Sequence, residues 1–133
     1  MRALVTGATG LVGSHLVRSL LRRGDTVRAL ARTESGTLDM RTRGAEIRFG
    51  DLGAPSDLGG ITEGVDAVFH LASSVGGGAD DLERVDVRGT AWLLAEARRS
   101  GVGRFVYPGT LSAYPPRSTG AVIDETSPLD STG

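Results

Sequence analysis

The stretch Val5-Thr6-Gly7-Ala8-Thr9-Gly10-Leu11-Val12-Gly13 decides the fold. It follows an apolar strand candidate, Arg2–Thr6, and opens an amphipathic stretch, Val12–Arg23. Strand, glycine turn and helix start together form a phosphate-binding device. Gly7 lets the chain turn sharply out of the strand. Gly10, with no side chain, admits a pyrophosphate to the backbone. Gly13 lets the helix lie close on the strand, and the free N–H groups at the helix start face the anion. The candidate cofactor-binding residues of this run are Gly7, Thr9, Gly10, Leu11, Val12 and Gly13. A glycine turn without a ligand is the bland alternative.

Working outward, strand and helix patterns alternate. Helix one shows Val12, Leu16, Val17, Leu20 and Leu21 on one face, with Gly24 as its stop signal. Thr26–Ala31 reads as strand two, Leu38–Arg43 as a short helix and Ala45–Phe49 as strand three. Pro55–Glu63 reads as a weak helix, lowered by Gly59 and Gly60. Val65–Leu71 is apolar enough for a strand buried on both faces. Asp80–Ser100 is the longest helix, carrying Leu82, Val85, Leu93 and Leu94, and Arg104–Tyr107 is strand five. From Pro108 the chain reads as loop. The expected fold is α/β, a Rossmann-type doubly wound parallel sheet of order 3-2-1-4-5, with right-handed crossovers. Residues 1–133 make one dinucleotide-binding domain at most.

Composition narrows the function. A net charge of -1 gives no footprint for nucleic acid or an anionic membrane. No cysteine is present, so disulfides and thiolate metal sites are excluded, and the two histidines, His15 and His70, suit no metal motif. No signal peptide or membrane span is legible, which makes a cytoplasmic protein the default expectation. All fifteen basic residues are arginine, so no step that needs a lysine falls to these residues.

Strand two ends Ala29-Leu30-Ala31-Arg32. Dinucleotide folds usually place an acidic residue here for the adenine ribose hydroxyls. Ala31 occupies that position, and Arg32 follows. A carboxylate repels a 2′-phosphate and a guanidinium pairs with it, so NADP is favoured over NAD. A solvated arginine at a strand end is the alternative. Asp51 after strand three is a candidate acceptor for the adenine amino group with Leu52 lining the ring, or else a turn cap. Leu71, Ala72 and Ser73 close strand four where ligands bind, with Leu71 and Ala72 close to the nicotinamide ribose. His70 reads as a buried, satisfied imidazole rather than a catalyst, and His15 as structural or exposed.

Longer motifs carry a family resemblance: Thr6-Gly7-x-x-Gly10-x-x-Gly13, Gly50-Asp51-Leu52, Asp66-Ala67-Val68-Phe69-His70-Leu71-Ala72, Val87-Arg88-Gly89-Thr90, Arg104-Phe105-Val106-Tyr107 and Asp124-Glu125-Thr126-Ser127-Pro128-Leu129. Together they resemble an extended short-chain dehydrogenase/reductase, the family of NAD-dependent epimerase/dehydratases. The resemblance implies hydride transfer on a nucleotide sugar or another carbonyl or hydroxyl substrate. It implies that Thr110, at the family's catalytic serine position, orients a small-molecule substrate; an ordinary loop threonine is the alternative. It also implies a homodimer through helix 80–100, in which Trp92 serves either the contact or the core.

Two positions depart from the pattern. Gly109 replaces the first of the family's paired serines, and Asp86 stands where an asparagine is usual. The family's acid/base pair, a tyrosine followed four residues later by a lysine, has no match: Leu111 follows Tyr107 at that spacing, and Ser118 follows Tyr114. An unassisted phenol near pKa 10 is poorly poised at neutral pH. The expectation is an N-terminal part of a longer enzyme that binds cofactor without turnover. A non-catalytic redox sensor or regulator on the same fold is the rival, and an S-adenosylmethionine site is a weaker third.

Overall fold

The computed structural model describes residues 1–74, 76–110, 114 and 122–128. Five parallel strands, β1 (Arg2–Thr6), β2 (Thr26–Ala31), β3 (Glu46–Phe49), β4 (Ala67–His70) and β5 (Arg104–Val106), lie in the order β3-β2-β1-β4-β5, as the alternating pattern predicts. Val5 of the central strand pairs with Ala29 on one side and Phe69 on the other. Parallel neighbours need crossovers. Helix α1 (Leu11–Arg22) joins β1 to β2, and α2 (Leu38–Thr42) joins β2 to β3. A long helix precedes β5: α3 (Ala79–Asp81), a π-helical stretch Leu82–Gly89 and α4 (Thr90–Arg99) follow one another directly. Because every strand runs the same way, all their C-terminal ends meet at one edge of the sheet.

The period of two along each strand splits the core into two layers. Ala3 and Val5 of β1 face Val17 and Leu20 of α1 and Met40 of α2. Leu4 faces the other way, into Leu58, Ile61, Leu93 and Ala97. Trp92 packs half-buried against this second layer. Arg28, nine-tenths buried on β2, pairs with Glu46 at 3.1 Å and donates to the carbonyls of Ile61 (2.6 Å) and Glu63 (3.2 Å), so its charge is fully partnered.

Several sequence expectations need correction. Pro55–Glu63 is not a helix. Only a 3-10 turn, Pro55–Leu58, forms, because Gly59 leaves the helical region (φ -51°, ψ 135°) and Gly60 takes φ 74°. Val12, placed on the apolar face of helix one, is exposed. Leu82 and Leu94 are exposed too. The π-helical winding was not legible from a 3.6-residue period. Residues Leu111–Ala113, Ser118 and Leu129 lie outside the described residues. Among the described residues no helix is long and apolar enough to cross a membrane, and no group of three His, Cys, Asp or Glu could hold a metal ion.

Candidate functional site

A cleft of about 460 Å³ opens at the C-terminal edge of the sheet. The β1–α1 turn forms its floor. Gly7 takes φ 64°, and a Cβ there would lie 2.6 Å from the backbone of Leu71. A Cβ on Gly13 would lie 2.1 Å from the carbonyl oxygen of Gly7. Both glycines are therefore required by close backbone contact. Gly10 is the N-cap of α1; no side chain caps the helix, and its first turn carries no acidic residue. The unpaired N–H groups and positive dipole end of α1 are thus left for an external anion.

The opposite side of the floor is held by a polar chain. Thr6 Oγ1 accepts from the backbone N–H groups of Leu71 and Ala72, each at 3.2 Å. With those two donors placed, the Thr6 hydroxyl hydrogen points to Nδ1 of His70, 2.7 Å away. His70 then carries its proton on Nε2 and donates it to Thr90 Oγ1 at 2.8 Å. The ring also stacks on Tyr107 (centroids 5.3 Å apart) and meets Phe105 edge-on (5.9 Å). Burial holds the His70 pKa below its usual value, against the pull of Asp86. His70 is therefore a neutral structural imidazole, as its sequence context predicts, and it ties β1 to the long helix. His15 is exposed, its Nδ1 donating to the Leu11 carbonyl at 2.8 Å.

Next along the rim, Ser74 donates its backbone N–H to Asp86 (3.1 and 3.2 Å) and its hydroxyl to the same carboxylate. Burial alone would raise the Asp86 pKa, but the hydrogen bonds from Ser74 and Ser73 outweigh it and hold the carboxyl below the usual range. Asp86 thus fixes the Ser73–Ser74 segment from behind.

Of the residues predicted from sequence, Gly7, Thr9, Gly10, Arg32, Asp51, Leu52, Leu71, Ala72 and Ser73 all line this one cleft. Asp51 caps its turn as well, accepting from the Gly53 N–H at 2.8 Å. Leu11, Val12 and Gly13 do not line it: Gly13 is buried against Gly7, and Leu11 and Val12 are exposed on the first turn of α1. Thr110 lies exposed after β5 and is not among the residues lining the cleft. A second recess of about 530 Å³ adjoins the cleft through Thr9 and Arg32 and is completed by Thr33, Ser35 and Gly36. Sequence reasoning missed these three, and it missed Asp81 and Arg84 from the long helix. The serine and threonine beside Arg32 were the available signal for the recess. No local signal marked Arg84.

The fold and the site define a Rossmann-type dinucleotide-binding class. The chain matches the NAD dependent epimerase/dehydratase family model over residues 3–133 and belongs to that family. It is 40% identical over 116 residues to sterol demethylase protein B of Methylococcus capsulatus, a match covering 85% of this chain and 35% of that protein. A short-chain dehydrogenase/reductase superfamily protein from Agrobacterium tumefaciens with bound NAD superposes with a TM-score of 0.82 at 34% identity, covering 98% of this chain and 39% of that one. UDP-glucose 4-epimerase of Thermus thermophilus in complex with NAD superposes equally well (TM-score 0.82) at 29% identity, covering 98% and 44%. The chain therefore spans less than half the length of these relatives.

Proposed function

We propose that the protein is an NADP-preferring oxidoreductase or epimerase of the extended short-chain dehydrogenase/reductase type. The observation that carries the cofactor reading is the joining of two recesses at Arg32. The glycine cleft is met there by a pocket lined with one guanidinium and the side chains of Thr33 and Ser35. Among the described residues Arg32 has no carboxylate partner, so its charge is left for a ligand. A 2′-phosphate offers the oxygens that such a set binds. The dinucleotide fits the site because the glycine turn leaves no side chain over an uncapped helix start.

In this reading Gly7, Thr9 and Gly10, with the first-turn N–H groups of Leu11, Val12 and Gly13, hold the pyrophosphate. Asp51 accepts from the adenine amino group, and Leu52 covers the ring. Leu71, Ala72 and Ser73 run beside the nicotinamide ribose. Thr110 orients the substrate oxygen. When bound, the nicotinamide donates or accepts a hydride. These residues bind and orient; with no lysine among them to lower a tyrosine pKa, they bind cofactor without turnover by themselves. A homodimer through helix 80–100 is supported by the exposed Leu82, Val87 and Leu94.

The test is the ratio of NADPH to NADH affinity with and without Arg32→Ala. Wild type is expected to prefer NADPH. The variant loses about tenfold or more for NADPH, the loss of one charge-assisted contact, and little for NADH. A wild-type preference for NADH overturns the reading. The sensor alternative draws on the engagement of Asp86 with Ser74, which leaves it unlike the family's asparagine. A Tyr-x-x-x-Lys pair elsewhere in the protein's sequence decides for the enzyme.

A further inference from the structure

The side of the cleft where Asp51 lies is closed by the long helix, in a fit that the family motifs do not mention. Gly89 lies so close to Leu52 that a Cβ on it would meet the Leu52 carbonyl oxygen at 2.9 Å. One turn earlier, the guanidinium of Arg84 lies over Gly53, where an added Cβ would be 2.3 Å from its Nη1. The same guanidinium spans two carboxylates. Its Nη2 donates to Asp81 Oδ1 at 2.9 Å, and its Nη1 stands 3.5 Å from Asp51 Oδ2. The other Asp51 oxygen accepts from the Gly53 N–H at 2.8 Å. Asp51 is therefore gripped on both oxygens, while Asp51, Asp81 and Arg84 all line the cleft.

We infer that Arg84 is a positioning residue for base recognition. Anchored by Asp81 and seated on Gly53, its planar fork fixes the Asp51 carboxylate in the orientation that accepts an exocyclic amino group. A carboxylate has about four lone-pair sites. The Gly53 N–H and Arg84 take one on each oxygen, and the others stay available to a donor in the cleft. The inference rests on the reading of Asp51 as the adenine acceptor. It adds that this acceptor is set from outside its own loop, by a side chain 33 residues away. The π-helical winding of Leu82–Gly89 brings Arg84 and Gly89 together onto the Asp51–Gly53 turn, a placement in keeping with the frequent use of such windings at functional sites.

The test uses NADH and its hypoxanthine counterpart, in which a carbonyl replaces the amino group, and repeats the comparison with the 2′-phosphorylated pair. Affinities are measured in the full-length protein. Wild type is expected to favour adenine by about tenfold, the worth of one hydrogen bond to a charged acceptor. Arg84→Ala lowers that ratio at least threefold. Gly53→Ala, whose Cβ displaces the fork, moves it the same way. Arg84→Lys keeps the charge but cannot grip both carboxylates, and so behaves like Arg84→Ala. Equal weakening of both dinucleotides by Arg84→Ala, or full rescue by lysine, overturns the positioning role while leaving Asp51 as the acceptor. A wild-type protein that does not distinguish the two bases overturns both.

Discussion

The carbonyl oxygen of Gly7 occupies the space that a side chain on Gly13 would need, 2.1 Å from where its Cβ would stand. That contact lets α1 settle onto β1 and brings the helix start to the cleft. Its neighbours are backbone atoms of Gly7 and Ala8, which cannot swing aside as a side chain can.

Gly13→Ala is therefore expected to destabilise the fold by about 2 kcal/mol, as overpacking does, despite the better helix propensity of alanine. The helix start must also lift from the turn, so dinucleotide affinity falls more than tenfold. Thermal melting and titration calorimetry on the same samples check both. Unchanged melting and affinity would refute the close-contact account.

His70 makes stability depend on mild acid. Its pKa is lowered by burial from a reference of 6.5, so the unfolded chain takes up the proton first. Stability from the neutral imidazole is complete above about pH 6.5 and is lost as pH falls below that value toward the folded pKa. The hydroxyl of Thr6, already committed to two N–H donors, offers Nδ1 no acceptor when the ring is doubly protonated. Urea unfolding at pH 7.5 and pH 5.5 should show the wild type losing stability. His70→Gln, less stable at pH 7.5, should lose less on acidification. Parallel losses in the two proteins would contradict the assignment.

Asp86 holds Ser74 by both its N–H and its hydroxyl. Asp86→Ala should leave the strands intact and free the rim, so that the Ser74 amide exchanges with solvent at least tenfold faster. Asp86→Asn keeps one acceptor oxygen and should fall between. The wild-type clamp persists until acid protonates the carboxylate. Because the folded pKa lies below the reference of 3.8, its contribution is present above about pH 3.8 and fades as pH drops through the folded value. Hydrogen exchange of Ser74 checks this, and an exchange rate indifferent to Asp86→Ala would refute it.

What could be read from the sequence was what local chemistry imposes. Gly7 and Gly13 announced a close turn, and the apolar runs announced parallel strands. Arg32 announced its charge at a strand end that normally carries an acid. Asp51 and Ala72 could be placed because each follows a strand whose C-terminal end opens on the cleft. The misses arose where tertiary contacts override local preference. Val12, Leu82 and Leu94 fit a helical stripe yet stay exposed, because a stripe read from sequence does not fix which of its members the fold covers. The two glycines after Leu58 stopped a helix that Pro55 had begun. Arg84 looked like any surface arginine until the fold brought Asp51 beside it.

The widened winding of the long helix also sets a phase. Downstream, Leu93 and Ala97 are locked in the core; Asp81, just upstream, and Arg84, in the first turn of the winding, line the cleft. Each residue added to or removed from an ordinary helix turns everything before it by about 100°. The stretch Leu82–Gly89 therefore acts as the gearing between a buried half and a cleft-facing half. A one-residue deletion between Arg84 and Gly89 would keep both halves helical and yet rotate the arginine away from Asp51. Helix content alone would report no change, although the two ends had lost their alignment.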